Sequence, residues 1–337
     1  MACYLLAAGN ILAVNPAAEK SYSQALQLVS VGDSNGAESA FRKAWEMEPT
    51  EPRYIHDLAI HYIHLHQFPQ ALDVIRDSVK RSGPTALAWT LQGELLFEQK
   101  QYDAAYQSLR SALDISSDNY RAHELLGLIF SIHKRPGLGL EELQTAVKQN
   151  PNSAQVHFYC GRLYYQTGNY ANARDELLQS LKLNPEYPQA LENLGLAYEA
   201  MGDTEKAAAQ YRRAIELQSA GRVSPSELAY VCLAVLVDKQ GDHAQARSLL
   251  QQALDRNPNS AWANFELGRM LFQAGEDTDA AQHLKRSAEL DRSFSRPHFF
   301  LAKLHRRNNR LQEARAEFAV FQQLDKDPFN RQPQMTR

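Results

Sequence analysis

Apolar residues along this chain recur three and four apart in short blocks, and a few polar or glycine-containing residues part each block from the next. Residues 188–221 show the pattern. Leu194 and Tyr198 stand four apart, Gly202-Asp203 breaks the run, and Ala207, Tyr211 and Ala214 follow at steps of four and three. Such spacing lines apolar side chains along one stripe of a helix, so the block predicts two amphipathic helices. Gly202 is free to take positive φ and Asp203 can cap the next helix, which makes the pair a turn. The unit repeats. Ala25, Ala59, Gly93, Gly127, Gly161 and Gly195 follow one another at intervals of 34 residues, and Ala234, Gly268 and Ala302 do the same. A small residue at that place lets two paired helices approach closely.

Other landmarks keep the phase: Leu109, Leu143, Leu177 and Tyr211, then Leu250, Leu284 and Phe318, and also Pro151 and Pro185. The step from Gly195 to Ala234 is 39, and Pro185 to Pro258 is 73, so two independent landmarks place one five-residue insertion between them. The units run 18–51, 52–85, 86–119, 120–153, 154–187 and 188–221, then 227–260, 261–294 and 295–328. Residues 222–226 are the insertion, a candidate joint where Ser224 or Ser226 can cap the next helix and Pro225 blocks the preceding one. Residues 1–17 precede the array and residues 329–337 read as a disordered tail.

With Leu194, Gly195, Tyr198, Gly202, Asp203 and Ala207 in one unit, and Gly161, Tyr164, Gly168, Tyr170, Ala173 and Pro185 in another, the chain resembles the tetratricopeptide repeat (TPR) family. Gly139 in repeat four and Phe321 in repeat nine depart mildly from the family pattern. The resemblance implies an all-α, right-handed superhelical solenoid of antiparallel helix hairpins, with eighteen helices and no β-sheet. One hairpin cannot bury its own face, so each unit must pack on the next. Pro49, Pro151, Pro185 and Pro258 stop second helices because proline cannot donate the needed hydrogen bond.

Composition adds limits. The net charge of −3 gives no global pull toward nucleic acid or anionic lipid. Residues 295–337 are locally basic, with nine Lys or Arg against four acids. The three cysteines, Cys3, Cys160 and Cys232, form no disulfide framework and have no metal-ligand spacing, and Cys160 reads as a buried free thiol. Residues 5–14, LLAAGNILAV, are too short to span a bilayer. Two readings of them stay open. They are either the apolar part of a secretory signal that lacks its basic start, with the mature chain periplasmic or exported, or an arm capping the first repeat of a cytoplasmic protein. The resemblance implies a polar capping helix after the last repeat, and none is expected after repeat nine here, so repeat nine must supply its own soluble face or be covered by a partner or a second copy.

Catalytic motifs fail their context. Gly32-Asp33-Ser34-Asn35-Gly36 matches G-x-S-x-G but fills an inter-helix loop, where these residues are ordinary turn chemistry. His123-Glu124-Leu125-Leu126-Gly127 ends in Gly where the second zinc-binding histidine would stand. Gly137 and Gly139 follow no strand. Asp57, His61 and His64 share one helical face, with His66 just beyond; they read as a polar surface with exposed imidazoles rather than a metal site. No catalytic residue, cofactor or metal is therefore expected, and the chain reads as a non-enzyme.

In TPR proteins partner peptides usually lie on the face built by the first helices. Carrying that face over gives two stretches that mix aromatics with cations: Arg121, Phe158, Arg162 and Tyr165, and more densely Trp262, Phe265, Arg269, Phe272, Arg296, Phe299, Lys303 and Arg306. These types are enriched in binding hot spots. Each ring keeps two roles open, partner contact or packing between repeats. Tyr22, Leu26, His56 and Ile60 stand where a terminal-carboxylate clamp would begin with Lys and Asn, so that clamp is not expected. The resulting expectation is a scaffold or adaptor for an extended acidic and partly apolar segment. Polyanion binding through the basic end, and an accessory subunit of an enzyme complex, are the alternatives.

Overall fold

The computed structural model describes residues 15–49, 51–221 and 226–326. Residues 1–14, the heart of the insertion at 222–225, and the tail from 327 lie outside the described residues, so Cys3, Ser224, Pro225 and the N-terminal segment do too.

Among the described residues every regular element is an α-helix. Helices α1 (Pro16–Ser30), α2 (Ser34–Met47), α3 (Pro52–His64), α4 (Phe68–Ser82), α5 (Ala86–Glu98), α6 (Tyr102–Ile115), α7 (Tyr120–Ile132) and α8 (Pro136–Gln149) form one compact unit. Helices α9 (Ala154–Gln166), α10 (Tyr170–Leu183), α11 (Pro188–Ala200), α12 (Thr204–Ser219) and α13 (Leu228–Lys239) open a second unit. That unit is completed by α14 (His243–Arg256), α15 (Ala261–Ala274), α16 (Asp277–Leu290), α17 (Ser295–Arg307) and α18 (Leu311–Leu324). The unit boundary falls after Asn152, between repeats four and five, and not at the insertion.

Each odd-numbered helix packs on the even-numbered helix that follows it, giving nine hairpins among the described residues. The small-residue period explains how closely they pack. A Cβ on Gly161 would sit 2.7 Å from Leu177 Cγ, and one on Gly268 would sit 2.8 Å from Leu284 Cγ. At Gly195 the added atom would run into the Tyr211 ring. Turn chemistry follows the residues as well. Gly202 holds φ at 84°, and the Asp203 side chain accepts from Lys206 N to cap α12. His66, Lys100, Lys134 and Asn309 adopt the same left-handed conformation at the turns where glycine is missing.

Two core clusters fill the first unit, one from Ala18 to Leu95 and one from Ala105 to Ile129. In the second unit one large cluster runs from Phe158 to Leu304, taking in Leu217 before the insertion and Tyr230 after it, and a smaller one joins Phe265, Leu284, Phe294 and Leu301. Across the insertion, Gln218 Oε1 accepts from Ser226 N at 3.1 Å, and the Ser226 hydroxyl accepts from Leu228 N at 3.3 Å. Cys160 and Cys232 are buried free thiols. Within the units, first helices also touch one another, α3 on α5 and α5 on α7, then α9 on α11, α13 on α15 and α15 on α17. Their shared face is where the candidate residues stand.

Candidate functional site

The candidate first-helix residues fall into three groups, set by which side chains neutralise them. Arg121, on α7 of the first unit, lies between Glu94 and Glu124 and is ion-paired to both, with Nη1 2.9 Å from Glu124. Burial works against its charge and the two carboxylates more than offset it, so its pKa is raised. Burial dominates at Glu124 and lifts its carboxyl above the usual range despite Arg121. Arg121 is spent inside the protein and offers no free cation.

Phe158, Arg162 and Tyr165 lie on α9 of the second unit, at the fifth, ninth and twelfth positions of repeat five. Phe158 is buried against Tyr187, with ring centroids 5.0 Å apart, and Tyr165 is half-buried against Tyr170 at 5.5 Å. The Arg162 guanidinium lies 5.9 Å from the Phe158 ring centroid and 5.4 Å from that of Tyr159. Its Nε is sealed from water with no hydrogen-bond partner.

The C-terminal group holds corrections. Phe265 is fully buried and stacks edge-on against Phe294 at 5.0 Å and Phe300 at 5.7 Å, so its ring packs between repeats eight and nine. Trp262 donates from Nε1 to Glu266 and packs on the core, which spends its polar handle internally. Arg269 is gripped by Glu266 and by Asp238, both at 2.7 Å, and also donates to Gln273. It therefore cannot be the partner-facing cation expected from sequence. Phe272 is covered by Arg307, whose guanidinium lies 4.0 Å above the ring.

What stays exposed is a smaller patch. Arg296 lies over the Phe265 ring at 4.7 Å, Lys303 lies over Phe299 at 4.5 Å, and Arg306 stands one helical turn beyond Lys303. All three cations are exposed, and none has a carboxylate partner among the described residues. Phe299 is half-buried between Phe300 and Phe321. On α18 no residue is buried, and Leu311, Phe318 and Val320 are exposed.

The histidine face on α3 resolves differently from its sequence reading. His61 is buried, not exposed: its Nε2 lies 3.3 Å from Ser34 O, and its ring packs against Phe41 and Tyr62. Asp57 accepts from the Tyr22 hydroxyl and faces His56, while His64 is exposed and His66 sits in a turn. These groups serve different partners.

Sequence reasoning grouped Phe158 with Arg162 but missed the acids that silence Arg269 and the Tyr159 and Tyr187 rings of the Arg162 neighbourhood. A search for acids three residues along the helix would have found Glu266 and Glu124. It also missed a repeated strut: His123 with Glu142, His157 with Glu176, and His298 with Glu317, each joining first and second helix within 2.5–2.6 Å. The 34-residue step from His123 to His157 and from Glu142 to Glu176 carries that signal.

Comparisons with known proteins agree with this architecture. Tetratricopeptide repeat models match residues 56–120, 161–202, 188–220 and 239–298. The chain is 28% identical over 145 residues to the type IV pilus assembly protein PilF of Pseudomonas aeruginosa, covering 42% of this chain and 58% of that one. It is 27% identical over 88 residues to the anaphase-promoting complex subunit cut9 of Schizosaccharomyces pombe, covering 26% of this chain and 13% of that one. The crystal structure of the APC/C hetero-tetramer Cut9-Hcn1 superposes with a TM-score of 0.66 at 16% identity, over 83% of this chain and 54% of the other. The chain thus spans between an eighth and three fifths of these relatives. No helix among the described residues is long and apolar enough to cross a membrane. The 34-residue period, the paired helices and the matching family models together make this chain a member of the tetratricopeptide repeat family.

Proposed function

We propose that this protein is a non-enzymatic interaction scaffold that binds an extended, acidic and partly apolar segment of a partner protein on the first-helix face of repeat nine. The observation that carries the reading is the trio Arg296, Lys303 and Arg306. All three are exposed cations without carboxylate partners among the described residues, and two of them are seated on aromatic rings. Rings lie beneath two of the cations, and half-buried Phe299 adds apolar surface beside them, the combination found at binding hot spots. Relatives named for an assembly and for a multisubunit complex support a scaffold role. The locally basic end also admits a polyanion, and salt separates the two, since phosphate contacts lose affinity steeply with added salt.

Peptide display on the full chain tests the reading. Enriched peptides should carry Asp or Glu beside aliphatic residues. The triple variant Arg296→Ala, Lys303→Ala, Arg306→Ala should lose about tenfold or more in affinity for them. Peptides bound equally well by the triple variant would remove this face from the account.

A further inference from the structure

Three arginines on first helices, Arg121, Arg162 and Arg269, differ in what meets them. Arg121 and Arg269 each hold two carboxylates of their own unit. Arg162 occupies the same ninth position in repeat five that Arg269 occupies in repeat eight. Among the described residues no carboxylate pairs with it, and its Nε is buried without a partner.

The cause lies one helical turn back. Glu266 precedes Arg269 by three residues and pairs with it, whereas the corresponding residue before Arg162 is Tyr159, whose ring stacks without bringing charge. Burial pushes the Arg162 pKa below the usual arginine value, and Tyr159 and Tyr187 only partly oppose this. A guanidinium nevertheless stays protonated in proteins. The fold therefore keeps a partly desolvated cation with no counter-charge, which costs free energy until an anion arrives.

We propose that Arg162 anchors a carboxylate subsite for an aspartate or glutamate side chain of a bound peptide, with Phe158, Tyr159 and Tyr187 as its walls. Aromatic rings occupy the neighbourhood of the guanidinium face, and its donor edge suits a planar carboxylate held by paired hydrogen bonds. Glu266 on Arg269 is the same contact made within one chain. The subsite lies on α9 and the start of α11, apart from the repeat-nine face, so either can fail without the other.

The test is a titration of the full chain labelled with nitrogen-15 arginine, following the Arg162 Nε–H signal, which is assigned by its loss in Arg162→Lys. The probes are the amidated, acetylated peptide Ala-Leu-Asp-Leu-Ala, its Asn counterpart, the Asn peptide with a free C-terminal carboxylate in place of the amide, and inorganic phosphate. The Asp peptide should shift the signal and bind about tenfold tighter than the Asn peptide. The free-terminus peptide should bind more weakly than the Asp peptide. Tyr159→Glu, which recreates the Glu266 arrangement, should move the signal before any peptide is added and abolish the response. Equal binding of Asp and Asn peptides, undiminished binding by Tyr159→Glu, a free-terminus peptide that outbinds the Asp peptide, or an equal response to phosphate would each overturn the assignment.

Discussion

Repeats five and eight carry an arginine at the same place, yet Arg269 is enclosed by Glu266, Asp238 and Gln273 while Arg162, among the described residues, lies over rings and pairs with no carboxylate. Side-chain exposure of Glu266 is 6% and of Asp238 is 9%, so the repeat-eight cluster is an internal ion network. Burial raises the Asp238 carboxyl, but Arg269 and His243 outweigh it and hold the group below the usual range. The periodic packing residues make both sites alike in backbone. The pairing of these two arginines does not follow the period: Glu266 and Asp238 neutralise Arg269, whereas Tyr159 stands three positions before Arg162 and brings no charge. A TPR groove therefore has to be read for what is already neutralised before its cations are assigned to a partner.

The largest expected effect concerns Phe265, a buried ring on the same helix as Arg269. Phe265→Ala should cost about 4 kcal/mol of unfolding free energy, because a fully buried aromatic is removed between repeats eight and nine. Denaturant unfolding would show it, and a loss of partner affinity with unchanged stability would restore the ring to the groove.

Next comes the cluster itself. Arg269→Met leaves Glu266 and Asp238 buried without their cation, and about 3 kcal/mol of stability should be lost. Arg162→Met removes a charge that no carboxylate holds and should leave stability unchanged or slightly raised. Equal losses for the two variants would erase the difference between the repeats.

A smaller effect depends on pH. Glu192, on α11, is buried at 3% exposure, and burial lifts its pKa to about 7 against bonds from Ser226 and the Ala229 amide. A carboxyl whose folded value lies above its unfolded value stabilises least when ionised. Its contribution is intact below the ordinary value of 4.5 and falls away as pH rises toward 7. Glu192→Gln should therefore gain about 2 kcal/mol over the parent at pH 8 and almost nothing at pH 4. A pH-independent difference between the two would show that Glu192 keeps its proton or is paired throughout.

Much of the fold was legible because packing obeys the period. Gly161, Gly195 and Gly268 mark where helices touch, and Gly202-Asp203 marks a turn, so helix ends follow from local chemistry. The site was legible only in outline. The first-helix face was found, but Phe265, Trp262 and Arg269 are held inward by Glu266 on the same helix, by Phe294 at the end of the same repeat, and by Asp238 and Phe300 of the neighbouring repeats. His61 was read as exposed for the same reason: Phe41 and Ser34, from the preceding repeat, close over it.

The central claim is that Arg162 lacks only a carboxylate that repeat eight supplies for itself. A double-mutant cycle between Tyr159→Glu and Arg162→Met, read by denaturant unfolding, measures this directly. The account predicts a favourable coupling of about 1 kcal/mol, with Tyr159→Glu tolerated only while Arg162 is present. A coupling of zero, with Tyr159→Glu equally destabilising in both backgrounds, would contradict it.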